Sequence, residues 1–227
     1  MKKRIVTLSS LAFLSVVTLF SSCTKDDVVD VADPKAKIQV VHASPDGPEV
    51  DILVDNQNKA SLAYLSNTPY VEVAEGTRNI KVNVKGTTTT VINADVPFVA
   101  NKNYSIFAID SVSKISAIVL NDDLTTPAAG KAHVRFIHLS PNAPAVDVAV
   151  TGGSVLFPNQ AFKSASAFTP VDAGTYNLEV RLAGTTTVAL PLPGIALTAG
   201  KIYTVYARGF ATASGATALN ASIIVNN

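Results

Sequence analysis

The chain has 227 residues, and its 18 basic and 17 acidic side chains almost cancel. This balance argues against nucleic acid as a partner, because nucleic-acid-binding domains carry a marked excess of Lys and Arg. Hydrophobic residues make up 48% of the chain, which is enough material for an apolar core. The single cysteine excludes an internal disulfide framework, so each domain must be held by packing and hydrogen bonds.

The first 22 residues have the order of a secretory signal peptide. Basic residues at 2–4 are followed by an uncharged stretch at 5–20, and Ser21 and Ser22 then precede Cys23. The uncharged stretch is short for a membrane span, which requires about 20 apolar residues. Removal of residues 1–22 would leave 15 basic against 17 acidic side chains, a net charge of −2.

The position of Cys23 resembles a bacterial lipobox, although Phe20 stands where Leu is more usual. In such proteins the thiol is lipidated and the chain is cut before it, so we predict lipidation at Cys23 and anchoring to a membrane. The sequence Lys25-Asp26-Asp27 resembles the surface-export signal of Bacteroidetes-type lipoproteins and predicts an outer-membrane protein that faces the outside of the cell. The alternatives are an ordinary signal peptide with an incidental cysteine, and an acidic tether without a signal.

The rest of the chain contains the same domain twice. Residues 41–51, VHASPDGPEVD, recur as residues 137–147, IHLSPNAPAVD, and the similarity continues to the C-terminus. Domains of about 100 residues are an ordinary size. The predicted organisation is a tether at 23–36, a first repeat at 37–122, a linker at 123–130 and a second repeat at 131–227.

The elements of each repeat are predicted to be short strands. Val, Ile and Thr are abundant and alternate with polar residues, most clearly at Ile80, Val82 and Val84. Seven or so such strands separated by turn residues predict an all-β fold of two tandem β-sandwich domains. An Ig-like or a transthyretin-like Greek key is expected, with the strand order left open. In the first repeat the predicted strands are residues 37–42, 50–55, 62–65, 70–73, 79–84, 89–92, 104–109 and 115–120.

The repeated V-H-x-S-P-x-x-P-x-V-D pattern resembles a bacterial family known only as a domain of unknown function, number four-three-nine-seven. Members of that family often carry two copies behind a lipoprotein signal, and the likeness covers roughly residues 37–225. The second copy has Asn142 and Ala143 where the first has Asp46 and Gly47. The resemblance implies a β-sandwich in the cell envelope and brings no established activity.

The shared residues of the two copies are the candidate site residues. We interpret them as structural, with each imidazole bonded to turn carbonyls or to Asp51 or Asp147, because buried polar groups are normally paired. The alternative is a Ser-His-Asp hydrolase built from His42, Ser44 and Asp51, although the sequence has no G-x-S-x-G elbow. These residues are His42, Ser44, Pro45, Pro48 and Asp51, and His138, Ser140, Pro141, Pro144 and Asp147.

Two weaker hypotheses concern ligands. Oxygens of Asp46, Asp51, Asp55 and Asn56, or of residues 121–123, could bind Ca²⁺, but Asp and Asn are common in turns anyway and we predict no metal or other cofactor. Exposed tyrosines could stack on sugars, whereas packing in the core or at an edge is the usual role of strand aromatics. The six tyrosines are Tyr64, Tyr70, Tyr104, Tyr176, Tyr203 and Tyr206.

The predicted function is that of a cell-envelope lipoprotein, displayed on the surface as a non-catalytic binding or adhesion module for an extracellular protein or glycan. This prediction depends on the lipobox, the tandem sandwiches and the lack of catalytic motifs. Loops at the end of a sandwich are common binding sites. The alternatives are a structural component of an outer-membrane assembly and, less favoured, a hydrolase.

Overall fold

The computed structural model describes residues 33–227, and every regular element in that range except two short 3₁₀ turns is a β-strand. Residues 1–22 of the predicted signal peptide and Cys23 lie outside the described residues. The first repeat contains eight strands, which are β1 (Lys35–His42), β2 (Val50–Val54), β3 (Gln57–Leu62), β4 (Val71–Ala74), β5 (Gly76–Val84), β6 (Thr90–Phe98), β7 (Asn103–Ile109) and β8 (Ser116–Asp122).

The second repeat contains eight equivalent strands in the same order. They are β9 (Lys131–His138), β10 (Val146–Val150), β11 (Val155–Gln160), β12 (Thr169–Asp172), β13 (Gly174–Leu182), β14 (Val188–Leu197), β15 (Ile202–Arg208) and β16 (Asn220–Val225). The 3₁₀ turns, Val112–Lys114 and Gly215–Thr217, lie between the last two strands of each repeat.

Each repeat is a β-sandwich of two four-stranded sheets. The sheet with order β4-β1-β7-β8 and its counterpart β12-β9-β15-β16 are called the inner sheets here, and the sheets β3-β2-β5-β6 and β11-β10-β13-β14 the outer sheets. Within each inner sheet the first and seventh strands of the repeat, β1 with β7 and β9 with β15, are parallel. All other neighbours in the inner sheets are antiparallel. Immunoglobulin domains divide their strands differently. Of the two expected topologies, this order is the transthyretin-like one.

Alternating apolar residues of both sheets fill the core of each sandwich. Ile38 and Val40 of β1 face Ile52, Ile80 and Val82 of the outer sheet in the first core. The second core is built from equivalent positions, with Val134, Phe136, Val148 and Val180 among its members. The period-2 pattern seen in the sequence therefore marks the face that each strand buries.

The inner sheets are buried on both faces because they pack against each other. Val41 and Phe107 of the first repeat join Ile137, Tyr206 and Ile224 of the second in a third apolar core. The rings of Phe107 and Tyr206 meet edge to face at 5.8 Å between centroids. The two repeats thus form one stack of four sheets, with the inner sheets in the middle.

Several predicted boundaries differ from the structure, and the strand predicted at residues 89–92 extends as β6 to Phe98. Strand β1 begins at Lys35 and buries Ala36 completely, so it takes up the last two residues of the predicted tether. The third strand lies at Gln57–Leu62, and the prediction of residues 62–65 was wrong because this edge strand is mostly polar. Among residues 33–227 no helix is long and apolar enough to cross a bilayer.

Candidate functional site

The imidazole of His42 ties together the turn that follows β1. Its Nε2 donates to the carbonyl oxygen of Pro48 at 2.8 Å, and its Nδ1 accepts the backbone N–H of Ser44 at 3.4 Å. Both contacts are made within the turn, and the ring itself is fully buried. Because Nδ1 accepts and Nε2 donates, the bonding pattern assigns the neutral imidazole with its proton on Nε2.

His138 repeats the arrangement in the second sandwich. Its Nε2 donates to the carbonyl of Pro144 at 3.0 Å, and its Nδ1 accepts the N–H of Ser140 at 3.3 Å. Burial lowers the pKa of both imidazoles below the ordinary histidine value, although the bond to the proline carbonyl opposes this shift. The buried position of each ring therefore disfavours its protonated form.

The serine of each turn joins it to the end of the seventh strand. The Ser44 hydroxyl donates to the carbonyl of Asp110 at 2.7 Å, and the Ser140 hydroxyl donates to the carbonyl of Gly209 at 2.6 Å. Both serines are fully buried. A hydroxyl that donates to a backbone carbonyl in the interior is placed to hold two segments together rather than to meet a substrate.

The aspartates of the motif bind elsewhere. Asp51 accepts the Ser61 hydroxyl at 2.5 Å and the N–H of Gly86 at 2.8 Å, and the Ser61 hydrogen bond is the main cause of its lowered pKa. Asp147 accepts the N–H groups of Asn159 and Gly184 at 2.6 and 2.9 Å. Each carboxylate connects its strand to the third strand and to the turn before the sixth. The structure therefore does not assemble His42, Ser44 and Asp51 into a hydrogen-bonded triad.

The proline turn also holds the loop between the last two strands of its repeat. Asp46 accepts the N–H of Val112 at 2.8 Å, and Asn142 accepts the N–H of Ala211 at 2.7 Å. The change from Asp46 to Asn142 between the copies therefore preserves an acceptor. Pro45 and Pro48, like Pro141 and Pro144, fix the path of the turn that presents these groups.

Most of the oxygens considered for calcium are bound by donors of the protein. Asp55 accepts the N–H of Asn79 at 3.0 Å, Asn56 accepts Lys81 Nζ at 2.6 Å, and Asp123 accepts the N–H of Thr125 at 3.0 Å. Asp122 is buried in an ion pair between the repeats. Within residues 33–227 no group of three or more His, Cys, Asp or Glu side chains is arranged to hold a metal.

The six tyrosines divide into buried and partly exposed groups. Tyr104, Tyr203 and Tyr206 are buried, and the first two each accept a backbone N–H that closes a turn. Tyr64 and Tyr70 lie between the repeats, half-buried, and Tyr176 bonds the carbonyl of Asp172. Arg208 of the second repeat lies over the Tyr64 ring at 6.0 Å. These contacts place the tyrosines in packing roles.

A buried polar network between the inner sheets was not predicted from the sequence. Arg135 Nη1 lies 2.6 Å from Asp122 Oδ1, and both side chains are almost completely buried. The guanidinium also donates to Thr204 and Ser105, and Ser105 donates to Asp122. The ion pair joins the first repeat to the second, since Asp122 ends β8 and Arg135 lies within β9.

Tyr70 and Asn226 close this network. The Tyr70 hydroxyl donates to Asp122 Oδ2 at 2.5 Å and accepts from Asn226 Nδ2 at 3.1 Å, while Asn226 Oδ1 accepts the Thr204 hydroxyl. Burial raises the pKa of Tyr70 well above its usual value, and the Asp122 carboxylate adds to the effect. The hydroxyl therefore stays protonated and remains a donor to the carboxylate.

Both proline turns lie at the same end of the four-sheet stack, which we call the motif end. Lys163 donates its backbone N–H to the carbonyl of His138, and its ammonium lies 3.4 Å from Asp110, whose carbonyl holds Ser44. This ion pair joins the motif end of one repeat to that of the other. Lys35, where β1 begins, lies at the opposite end, which we call the base end.

The motif end is a composite of loops from both repeats. In each repeat the turns after the first, third, fifth and seventh strands lie there, and they are held by the contacts of the motif residues described above. Their outer side chains, such as Glu49, Lys85 and Thr87, are exposed. Loops on a rigid scaffold are the usual place for binding residues, so this end is the candidate site.

Comparison with known proteins gives a family without an assigned activity. The family model described as Domain of unknown function (DUF4397) matches residues 36–149. The chain belongs to this family. The matched range contains the first repeat except Lys35, together with β9, the second proline turn and nearly all of β10, so it includes both copies of the motif. No curated protein matches the chain.

Proposed function

We propose that this DUF4397 protein is a surface-exposed outer-membrane lipoprotein, anchored through Cys23, that binds an extracellular protein or glycan at its motif end without catalysis. The observation that carries the proposal is the placement of both proline turns at one end of a single stack. A tether that enters at Lys35 would join the base end, so the motif end would point away from the membrane.

The geometry of the motif supports the non-catalytic part of the proposal. The Ser44 hydroxyl is buried on a backbone carbonyl, His42 uses both ring nitrogens inside the turn, and Asp51 binds a different loop. The duplicated set thus shapes loops instead of forming a reactive group. Labelling by a serine-directed probe that disappears in Ser44→Ala or Ser140→Ala would contradict this part.

The binding part is tested with the full chain and a matched pair of charge reversals. Glu49→Arg changes the motif end, where it also breaks the exposed ion pair with Lys85, and Glu75→Arg changes the base end. Both glutamates are exposed, and exposed ion pairs contribute little to stability, so neither change should affect folding. Saturable binding to one member of a panel of glycans, mucins and extracellular matrix proteins is expected. Glu49→Arg should weaken that binding and Glu75→Arg should not. A panel without saturable binding, or an equal effect of both reversals, would overturn the proposal.

A further inference from the structure

Four side chains with hydrogen-bond donors meet between the repeats near the motif end, and we call them the donor cluster. The Arg208 guanidinium lies over the Tyr64 ring at 6.0 Å, and its Nε donates to the Ser222 hydroxyl at 2.8 Å. Tyr206 pairs with Ser222 in the register of β15 and β16, and it shares a sheet face with Arg208, two residues further on. Tyr64 belongs to the loop after β3, so the cluster joins both repeats. Its members are Tyr64, Tyr206, Arg208 and Ser222.

In the other copy, the four equivalent positions are apolar. The strand registers align β7 with β15 and β8 with β16, and the ring that lies edge-on to the motif histidine is Tyr64 in the first repeat and Phe162 in the second. All four equivalents lie in or pack against the apolar core between the repeats. Packing at this contact therefore does not require polar groups, and a packing role does not explain the donor cluster. The equivalents of Tyr64, Tyr206, Arg208 and Ser222 are, in that order, Phe162, Phe107, Ile109 and Ile118.

The positive charge of the cluster is not balanced by a carboxylate of the protein. Within residues 33–227, Arg208 takes part in no ion pair, and its Nη1 has only a long bond to a loop carbonyl, at 3.4 Å. Asp110, which ends the seventh strand of the first repeat, is paired with Lys163 instead. Arg208 and Ser222 are half-buried, so both keep part of their surface in solvent. A guanidinium presents five N–H donors, and most of those on Arg208 have no acceptor in this part of the chain.

The Tyr64 hydroxyl lacks a hydrogen-bond partner although its oxygen is buried. Among residues 33–227 no group donates to this oxygen or accepts from it. Burial raises the pKa of the phenol, and the nearby Arg208 guanidinium opposes the rise. Unpartnered buried hydroxyls are costly and rare in folded proteins. Besides its packing contacts, Tyr64 therefore carries a donor that an acceptor from outside the chain would satisfy.

We propose that the donor cluster binds the carboxylate of an acidic sugar, such as a uronic or sialic acid, in a glycan held at the motif end. This assignment rests on the proposed function and names the chemistry of its ligand. The carboxylate accepts from the free N–H groups of Arg208 and from the Tyr64 hydroxyl, so it supplies the partner that each group lacks. A planar guanidinium suits a carboxylate because the two form parallel hydrogen bonds.

The surroundings of the cluster favour a sugar over an acidic protein segment. The loop between β15 and β16, residues 209–219, contacts Arg208 and contains no charged residue. Its Thr212 and Ser214 are exposed, and most of its other residues are small. An acidic sugar presents one charge among neutral hydroxyl groups, which matches one guanidinium beside a neutral polar loop. An acidic protein segment presents several charges, for which this loop offers no further cation.

Calorimetric titration of the full chain with matched acidic and neutral sugars tests the proposal. The probes are sialyllactose against lactose and glucuronate against glucose. The wild type should bind an acidic probe saturably and the neutral counterpart about tenfold more weakly or not at all. Arg208→Gln should abolish this preference. Lys114→Gln removes an exposed charge from the equivalent loop of the first repeat and should leave the preference unchanged.

Tyr64→Phe separates binding from folding. It introduces the residue that the second repeat has at Phe162 and removes only the hydroxyl. Without a ligand the variant should unfold at the temperature of the wild type or above it, because the hydroxyl has no partner to lose. Its affinity for the acidic probe should nevertheless fall by about tenfold. If Arg208→Gln proves unstable, this variant still decides the outcome.

Three results would overturn the proposal. They are a wild type that shows no preference for the acidic sugars, a preference that survives both Arg208→Gln and Tyr64→Phe, and Arg208-dependent binding of a glutamate-rich peptide but of neither acidic sugar. In each case the proposed function still stands if Glu49→Arg weakens binding to the glycan and protein panel and Glu75→Arg does not. An Arg208-dependent preference for acidic sugars combined with equal effects of the two glutamate reversals would keep the sugar site and contradict the proposed function as stated.

Discussion

The two repeats keep the same proline turn but differ where they face each other. His42 and His138 make the same two bonds, and Ser44 and Ser140 hold equivalent carbonyls. On the facing sheets, by contrast, Asp122 of the first repeat corresponds to Asn226 of the second. The turn is needed within each sandwich, so both copies retain it, whereas the contact between the copies is made only once.

The difference on the facing sheets makes the pairing of the repeats specific. Gln39 occupies the position in β1 that Arg135 occupies in β9, so the first repeat supplies only the acid of the buried ion pair and the second only the base. Two first repeats placed face to face would bury two carboxylates without a cation, at a large cost in free energy. The asymmetry therefore favours one first repeat against one second repeat.

Breaking the ion pair should have the largest effect. Asp122→Asn and Arg135→Gln each introduce the residue of the other repeat, and each leaves one buried charge without its partner. We expect each single change to lower the free energy of unfolding by about 3–5 kcal/mol. Denaturant unfolding of the full chain measures it.

The double variant, which carries Asp122→Asn and Arg135→Gln together, sharpens the test. It removes both charges and leaves a neutral amide pair of the same types as Asn226 and Gln39, so its loss should be smaller than the sum of the two single losses by about 1–3 kcal/mol. Strictly additive losses would contradict the claim that the pair specifies the repeat contact.

The serines should show that the turns are equivalent. Ser44→Ala and Ser140→Ala each leave a buried backbone carbonyl without its side-chain donor, and we expect a loss of about 1–3 kcal/mol in each case. The same unfolding measurement applies, with the exposed Ser154→Ala as a surface control. If one substitution lowered the free energy of unfolding by a large amount and the other did not, the two turns would not be equivalent in their contribution to stability.

Much of the fold could be predicted from the sequence because the strands carry their own pattern. Alternation in residues such as Ile80, Val82 and Val84 marks a half-buried strand, and the repeated Pro residues mark the turn. Strand β3 was misplaced because its Gln, Asn and Lys residues form an edge that buries little.

The contact between the repeats could not be predicted in this way. Strands β1 and β7 are buried on both faces, so their residues do not alternate, and no local pattern shows that Arg135 is interior. The hydrogen-bond partners of the motif side chains could not be predicted from the sequence either. Either the turn carbonyls or Asp51 could have bound His42, and only the three-dimensional path of the chain distinguishes them.

Acid should weaken both repeats through their buried histidines. An unfolded imidazole has a pKa near 6.5, and the folded pKa of His42 and His138 is lower, so the unfolded chain binds more protons between these values. The histidine contribution to stability is complete above the unfolded pKa and is lost as the pH falls toward the folded pKa. Calorimetric unfolding near pH 6 should show uptake of up to two protons by these groups.

Single histidine variants divide this effect between the copies. His42→Gln and His138→Gln should each remove about half of the histidine-dependent proton uptake, because the two environments are alike. Uptake that is unchanged by either substitution would show that other groups cause the acid sensitivity.

The smallest effect is expected at Gly47, the turn position at which the second repeat has Ala143. A Cβ on Gly47 would lie 3.0 Å from both His42 Cε1 and Ser44 Oγ, so Gly47→Ala should cost about 1 kcal/mol as the turn adjusts. The second repeat already has Ala143 at this position, and Ala143→Gly should change the unfolding free energy by less. A stabilising Gly47→Ala would show that the first turn has room that its contacts do not indicate.

Exposure on intact cells tests the central claim, display of the motif end at the surface, most directly. The measurement combines brief protease treatment with antibody labelling of the motif-end loops, in the wild type and in Cys23→Ala. The account predicts that the wild-type protein is cleaved and labelled on intact cells and that Cys23→Ala loses its membrane association. Protection of the wild-type chain until the outer membrane is opened would contradict surface display and favour a structural role in the periplasm.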